Sequence, residues 1–330
     1  MNVLVTGATG AIGPRVVQAL SDTGHTIRAL SVDCPQSVPT WANTNSIIGD
    51  VTDPAVVCDA MRGIDAVIHL AALLHMVNPD SSLKGEYERI NVGGTANILD
   101  AAMKAGVRRV VFFSTIAVYG LSNGKVLDEE SPTSPDTIYG QTKLAAEQIV
   151  LNARSSDGQL IGTVLRLGAV YGSRIKGNYE RLMHSLDRGR FVPIGNGTNR
   201  RTLVYDKDVA RAAILAAQHP DAAGQIYNVS DGKFHTLNEM VSAMCGALGR
   251  KPPRLSLPVA PMRAAACILE GSTKLLGWSS PITRTMIDKY TEDIAVSSER
   301  IQTELAFLPH YDLQAGWKET VREMRESGAL

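Results

Sequence analysis

The chain has 330 residues and a mass of 35.4 kDa, 44% hydrophobic and 20% charged, enough to bury one large core or two smaller ones. This excludes a disulfide miniprotein, a disordered tail and a fibrous repeat. Lys and Arg total 33 and Asp and Glu 33, a net charge of +0, so the whole-molecule field of a general nucleic-acid or membrane-surface binder is missing, and neither partner is expected.

The opening MNVLVTGATG has no basic segment ahead of an apolar run, and Thr6 and Gly7 break the apolar run almost at once, so 2–6 reads as a first strand rather than a leader. Gly7, Ala8, Thr9, Gly10, Ala11, Ile12 and Gly13 follow directly and open a helix over 12–23, closed by Gly24. Glycines there permit a tight turn and a close backbone approach to a pyrophosphate, and a helix N-terminus offers free N–H groups and a positive dipole end. The spacing is GxxGxxG rather than GxGxxG, but its place in the first turn of a βαβ unit predicts dinucleotide binding over a bland turn. A second strand over 26–30 ends at Ser31. If Ser31 faces the adenosine ribose, NADP is tolerated, with Arg15 or Arg28 as the cation; if the strand runs on to Asp33, NAD is favoured. Cysteines 34, 58, 245 and 267 form no CxxC, so no zinc site or other metal centre is expected and a reducing, cytoplasmic compartment fits.

Strands over 46–48, 66–70, 110–114 and 163–167 alternate with helices over 54–61, 87–105 and 138–153, the pattern of an α/β, doubly wound parallel sheet of Rossmann type. The 110–114 strand runs into Ser114 and Thr115, two hydroxyls at the edge where ligands of such sheets collect. Tyr139 and Lys143 stand at i and i+4, on one face of the 138–153 helix. A free phenol has a pKa of about 10, and a neighbouring ammonium favours the phenolate, so Tyr139 is a candidate base for a hydroxyl whose carbon loses hydride to a nicotinamide. Prolines 193, 252, 253, 258, 261, 281 and 309 cut the second half into short elements. Residues 202–230 again read as helix then strand. The expected organisation is a dinucleotide-binding part over 1–170, rejoined at about 202–230, and a smaller mixed C-terminal substrate lobe over 171–201 and 231–330. Pro258, Pro261, Arg263 and Glu270 make the apolar stretch at 257–278 a poor membrane span. Arg200 and Arg201, before a strand, suit bidentate diphosphate binding, with a plain surface charge as the alternative for Arg200.

Taken together, TGATGAIG (6–13), GDV (49–51), HLAA (69–72), INVGGT around Asn91, FFSTIAVYG (112–120), YGQTK (139–143) and LRLGAVYG (165–172) resemble the extended short-chain dehydrogenases, specifically the nucleotide-sugar epimerase and dehydratase group typified by UDP-glucose 4-epimerase. The resemblance covers essentially the whole chain in the right order. It implies that Asp50 and Val51 contact adenine, that Leu70, Ala71, Ala72, Ser31, Ser114 and Leu167 border the dinucleotide, and that Asn91 supports the active-site helix. It puts the catalytic hydroxyl at Thr115, with Lys143 also holding the nicotinamide ribose. Arg201 and Asn178 match the family's substrate contacts, and 191–195 resembles the strand that reads the uracil; Ala169 replaces the family's usual asparagine. His69 reads as an oriented core residue.

Members that eliminate water carry an Asp-Glu pair directly after the threonine; here Ile116 and Ala117 stand there, which argues against dehydration. The expected activity is a UDP-hexose 4-epimerase with bound NAD. The alternatives are a 4-keto nucleotide-sugar reductase using NAD(P)H, a hydroxysteroid-type dehydrogenase whose apolar pocket is lined from 257–317, and a non-catalytic dinucleotide sensor on the same fold. Family members commonly pair through two helices per subunit, so a homodimer through the 87–105 and 138–153 helices is expected.

Overall fold

Runs that are apolar at every position have two faces to bury, and they form the middle of the fold. In the computed structural model, which describes residues 1–34, 44–74, 81–275 and 283–330, strands Asn2–Thr6 (β1), Thr26–Ser31 (β2), Thr44–Ile48 (β3), Ala66–His69 (β4), Arg109–Thr115 (β5), Gly162–Leu167 (β6) and Ile226–Val229 (β7) make one parallel sheet. Its order is β7-β6-β5-β4-β1-β2-β3. Every residue of β4 and β6 is buried, the signature of a parallel sheet covered on both faces.

Alternate residues serve opposite faces. Val3, Val5, Ile68, Val111 and Leu165 pack with Val16, Val17 and Leu20 of helix Gly13–Asp22 (α1), while Leu4, Val67, Val110, Phe112 and Val164 pack with the other side's helices. Those are Pro54–Ala60 (α2), Gly94–Ala105 (α3) and Ile138–Asn152 (α4). The expected 87–105 helix is less regular than its pattern: α-helix at Lys84–Tyr87 gives way to a π-helix at Glu88–Gly93 before α3 begins. Such wide turns often mark functional positions, because the extra residue re-aims a side chain.

After β6 the chain makes Asn178–Asp187 (α5), then Asp206–Gln218 (α6) and β7, which pairs with β6 from Ile226↔Val164 to Val229↔Leu167. α6 covers the α1 face through Val209, Ala213 and Ile214. A second core gathers α5, Leu237–Leu248 (α7) and, near the C-terminus, Leu313–Glu326 around Trp317, which stacks on Tyr171 at 4.3 Å. Two further helices, Val259–Leu275 (α8) and Arg284–Thr291 (α9), are clamped together by Arg263–Asp288 at 3.0 Å and Arg284–Glu270 at 2.9 Å. Of the SPITR stretch, 280–282 lies outside the described residues.

Cys58, Cys245 and Cys267 are free thiols, and among the described residues no group of His, Cys, Asp or Glu is arranged to hold a metal ion. No helix among them is long and apolar enough to cross a membrane.

Candidate active site

In a doubly wound sheet, ligands collect at the carboxyl ends of the strands where the order reverses, here between β1 and β4. The loop after β1 lies hard against the chain leaving β4. Gly7 adopts φ 66°, and a Cβ on it would stand 2.8 Å from the amide nitrogen of Ala71; one on Gly13 would stand 2.3 Å from the carbonyl of Ala8. Both positions therefore demand glycine for space, and Gly7 for its left-handed backbone as well. α1 begins at Gly13 after Ile12, which has no side-chain oxygen to cap the helix. The first-turn amides keep the positive end of the dipole for a ligand, so this cradle fits a dinucleotide pyrophosphate.

The neighbouring residues lock that cradle. The Thr9 amide donates to Ser31 Oγ at 3.1 Å, and the amides of Leu70 and Ala71 donate to the carbonyl and hydroxyl oxygens of Thr6. β2 stops at Ser31 and Asp33 lies exposed beyond it, so the strand does not run on to the carboxylate. Neither proposed 2′-phosphate cation is available: Arg15 bonds Asp206 at 3.0 Å, Ser173 at 3.2 Å and Glu323, and Arg28 donates to the carbonyls of Ala60 and Arg62. Carboxylates and carbonyls that sequence reading could not place beside them hold both guanidiniums. Asp50 accepts from the Thr52 amide at 2.9 Å and faces Arg89 at 3.8 Å, and Val51 is buried against Gly94.

His69 is buried, with Nδ1 2.6 Å from Thr6 Oγ1 and Nε2 3.0 Å from Thr95 Oγ1. Thr95 spends its proton on the Asn91 carbonyl, so it accepts from Nε2–H, and Nδ1 accepts from Thr6. Burial, with Lys143 nearby, pulls the imidazole down to about 3, so it is a neutral, oriented core residue. In the π-turn, Asn91 accepts from the Leu73 amide at 2.7 Å and donates to Thr142 Oγ1 at 3.1 Å, joining the chain after β4 to α4.

α4 is capped by Thr137, which accepts from the Gly140 amide, and carries Tyr139 and Lys143 one turn apart. Lys143 is 1% exposed, its Nζ 3.9 Å from the Phe112 ring centroid. Burial pulls it down to about 7, against an upward pull from Glu147. Burial, with Tyr87 adding to it, pushes the Tyr139 phenol up to about 12. This reverses the expected direction: removing a phenolate from water costs more than its surroundings return, and an ammonium that is itself half neutral near pH 7 is a weak counter-charge. Thr115 ends β5, and its Oγ1 accepts from the Ala117 amide at 3.2 Å, which leaves its own proton to donate. Ile116 and Ala117, in the turn that follows, bring no ionisable group.

A buried network missed in the sequence stands behind this pair. Ser114 donates to Glu147, and Glu147 takes Arg166 bidentately, with N–O distances from 2.7 Å. Arg166 also donates to Tyr119 Oη at 3.0 Å, which donates to Asn228 at 2.8 Å. The signal was available: residues 139, 143 and 147 continue one helical face. Leu167, next to Arg166, is a buried β6 terminus.

In the short strand Arg200–Arg201, Arg200 is held by Asp293 at 2.6 Å. Arg201 donates to the carbonyls of Lys289, Tyr290 and Glu292, capping the end of α9. Asn178 is exposed at the start of α5. Within 191–195, Ile194 bridges Leu257, and Ile194 and Gly195 with 196–199, Val259, Thr291 and Asp293 wall a cavity of about 310 Å³.

The N-acetyl-alpha-D-glucosaminyl-diphospho-ditrans,octacis-undecaprenol 4-epimerase of Escherichia coli O157:H7 is 27% identical over 325 residues, 97% of this chain and 94% of that protein. The 3 beta-hydroxysteroid dehydrogenase/Delta 5-->4-isomerase of Mycobacterium tuberculosis (strain ATCC 25618 / H37Rv) is 29% identical over 328 residues, 94% and 87%. Among solved structures, MoeE5 in complex with UDP-glucuronic acid and NAD superimposes with a TM-score of 0.78 at 28% identity, covering 99% of this chain and 100% of that one. The sequence profile of the NAD dependent epimerase/dehydratase family matches residues 3–230, with the glycine cradle, the β5 terminus and the Tyr139–Lys143 helix all inside it, and the chain belongs to that family.

Proposed function

We propose that this protein is a nucleotide-sugar 4-epimerase that oxidises and re-reduces C4 of a UDP-hexose with bound NAD. One observation carries the reading: Tyr139 and Lys143 share a helix face, Thr115 at the end of β5 keeps a proton free to donate, and the next two residues add no acid or base. That set suffices for oxidation and reduction at one carbon and lacks the extra pair that elimination needs. Residues 1–170 and 202–230 hold the dinucleotide, with the pyrophosphate at Gly7, Thr9, Gly10, Ala11, Ile12 and Gly13, and adenosine toward Ser31, Asp50 and Val51. NAD is preferred because neither Arg15 nor Arg28 is free to meet a 2′-phosphate.

When bound, oxidised NAD supplies a cationic hydride acceptor, which no side chain can provide. As a phenolate, its own proton passed to solvent, Tyr139 Oη would take the proton of the C4 hydroxyl; a positive charge set against it would draw its pKa down from about 12 toward the working range. Thr115 Oγ1 donates to the same oxygen, and Lys143 binds the nicotinamide ribose. Residues 171–201 and 231–330 hold the sugar nucleotide, with Arg201 and Asn178 at the diphosphate end. A homodimer through α3 and α4 accompanies this reading.

A second reading has its own support. The Arg201 guanidinium already caps α9, which favours a substrate without a diphosphate, as in a hydroxysteroid-type dehydrogenase. Denaturing the purified protein and identifying the released nucleotide separates the two. Near-stoichiometric NAD, with UDP-glucose and UDP-galactose interconverting without added cofactor, is the expected result. Nucleotide-free protein that reduces added NAD with a 3β-hydroxysteroid and leaves UDP-hexoses unchanged would overturn the proposal.

A further inference from the structure

A surface helix of a soluble protein ordinarily turns a charged face to water. α8 does the opposite. Of its described side chains only Ala266 is buried, and the side away from it carries Ala264, Ala265, Cys267 and Ile268, with Leu269 flanking Ala266 on the next turn, all exposed, Ile268 at 70% and Leu269 at 41%. No charged side chain described on α8 falls within that side; Arg263 and Glu270 lie on the Ala266 face, each tied to α9. The approach to α8 adds Leu255, 81% exposed, and Leu257, and α9 adds Met286.

The charge around this apolar face is one-sided. Residues 250–291 contain seven Lys or Arg and two Asp or Glu, a net +5 within a chain whose total is +0. Both carboxylates, Glu270 and Asp288, are consumed by Arg284 and Arg263. Lys251 and Arg254 are exposed and form no ion pair among the described residues.

We propose that the outward face of α8, with its basic surroundings, docks this protein on the surface of an anionic phospholipid bilayer. The apolar arc enters the boundary between headgroups and acyl chains, and the cations meet the lipid phosphates. A second copy of the chain is the poorer occupant, because a two-fold contact through this face sets the exposed Lys251 and Arg254 of one copy against those of the other. The neutral total charge concealed the local excess, so the expectation of no membrane partner does not extend to α8. Val259, at the start of α8, helps wall the cavity next to 194–199, so the docked face belongs to the proposed substrate lobe whichever reaction the site performs.

Co-sedimentation of the full-length protein with mixed phosphatidylglycerol–phosphatidylcholine vesicles tests this. The protein should pellet with these vesicles, less so as salt rises, and not with pure phosphatidylcholine. The double variant Ile268→Glu, Leu269→Glu should lower the bound fraction by about tenfold or more. Lys251→Glu with Arg254→Glu, exposed enough to leave folding alone, should weaken binding and flatten its salt dependence. Protein that stays in the supernatant, or pellets equally with both vesicles, overturns the proposal. A light-scattering dimer that the Ile268→Glu, Leu269→Glu variant splits, without vesicle binding, overturns it in favour of a second copy.

Discussion

Tyr139, at about 12, and Lys143, at about 7, have moved in opposite directions for one reason: burial favours the neutral form of each. The pair is thus set for proton transfer only when a further charge arrives. Tyr139→Phe, which keeps the ring and removes the proton carrier, should cut turnover by about a hundredfold to ten-thousandfold. Dinucleotide affinity, read by calorimetry, should stay within a few-fold, and unchanged turnover would remove Tyr139 from the chemistry. His69 gives a residue-level prediction of a different kind. Its folded pKa, about 3, lies below the ordinary value of 6.5, so between these the unfolded chain takes up a proton that the native state refuses. Stability supported by the neutral ring is therefore present above pH 6.5 and is lost as pH falls toward 3. Urea titrations over that window should show a steeper fall for the wild type than for His69→Gln, by up to about 1.4 kcal/mol per pH unit. Parallel slopes would show that His69 is not the proton-linked group.

Among elements, the junction of α4, β5 and β6 rests on Glu147, which joins Ser114 and Arg166 while both carboxylate and guanidinium are buried. Glu147→Gln leaves a buried cation without its counter-charge and should cost about 3 to 5 kcal/mol of stability. Replacing both partners, Glu147→Leu with Arg166→Met, should cost less than the single change, and a double variant as damaged as the single one would contradict this account. This junction also marks how far the sequence could be read. β1, β4 and β5 were legible because buried parallel strands are apolar on both faces, and Tyr139 and Lys143 because helical spacing is local. The partners of Arg200 and Arg201 were not legible: Asp293 and the α9 carbonyls lie about ninety residues away in sequence, and only packing brings them in. The π-turn at Glu88–Gly93 escaped notice because its residues suit an α-helix equally well. The upward shift of Tyr139 escaped because burial is a property of the tertiary structure.

For the molecule as a whole, composition proved a good guide to fold class and a poor guide to surface. An apolar helix and an electroneutral total each suggest an ordinary soluble interior, and α8 uses its apolar residues outside, within a run over 250–291 whose charges sum to +5. The sheet, meanwhile, is completed late. β7 at Ile226–Val229 closes the edge of β6, and α6 covers the same face, yet both follow α5, which packs into the second core. The two parts consequently cannot be separated by one cut. A fragment ending near residue 170 would leave β6 as an unpaired edge and strip Val209, Ala213 and Ile214 from the core beneath it, and an uncovered edge of that kind recruits strands from other chains. During synthesis, the nascent sheet must stay open until more than two-thirds of the protein has emerged, which makes its assembly dependent on whatever shields that edge in the interval.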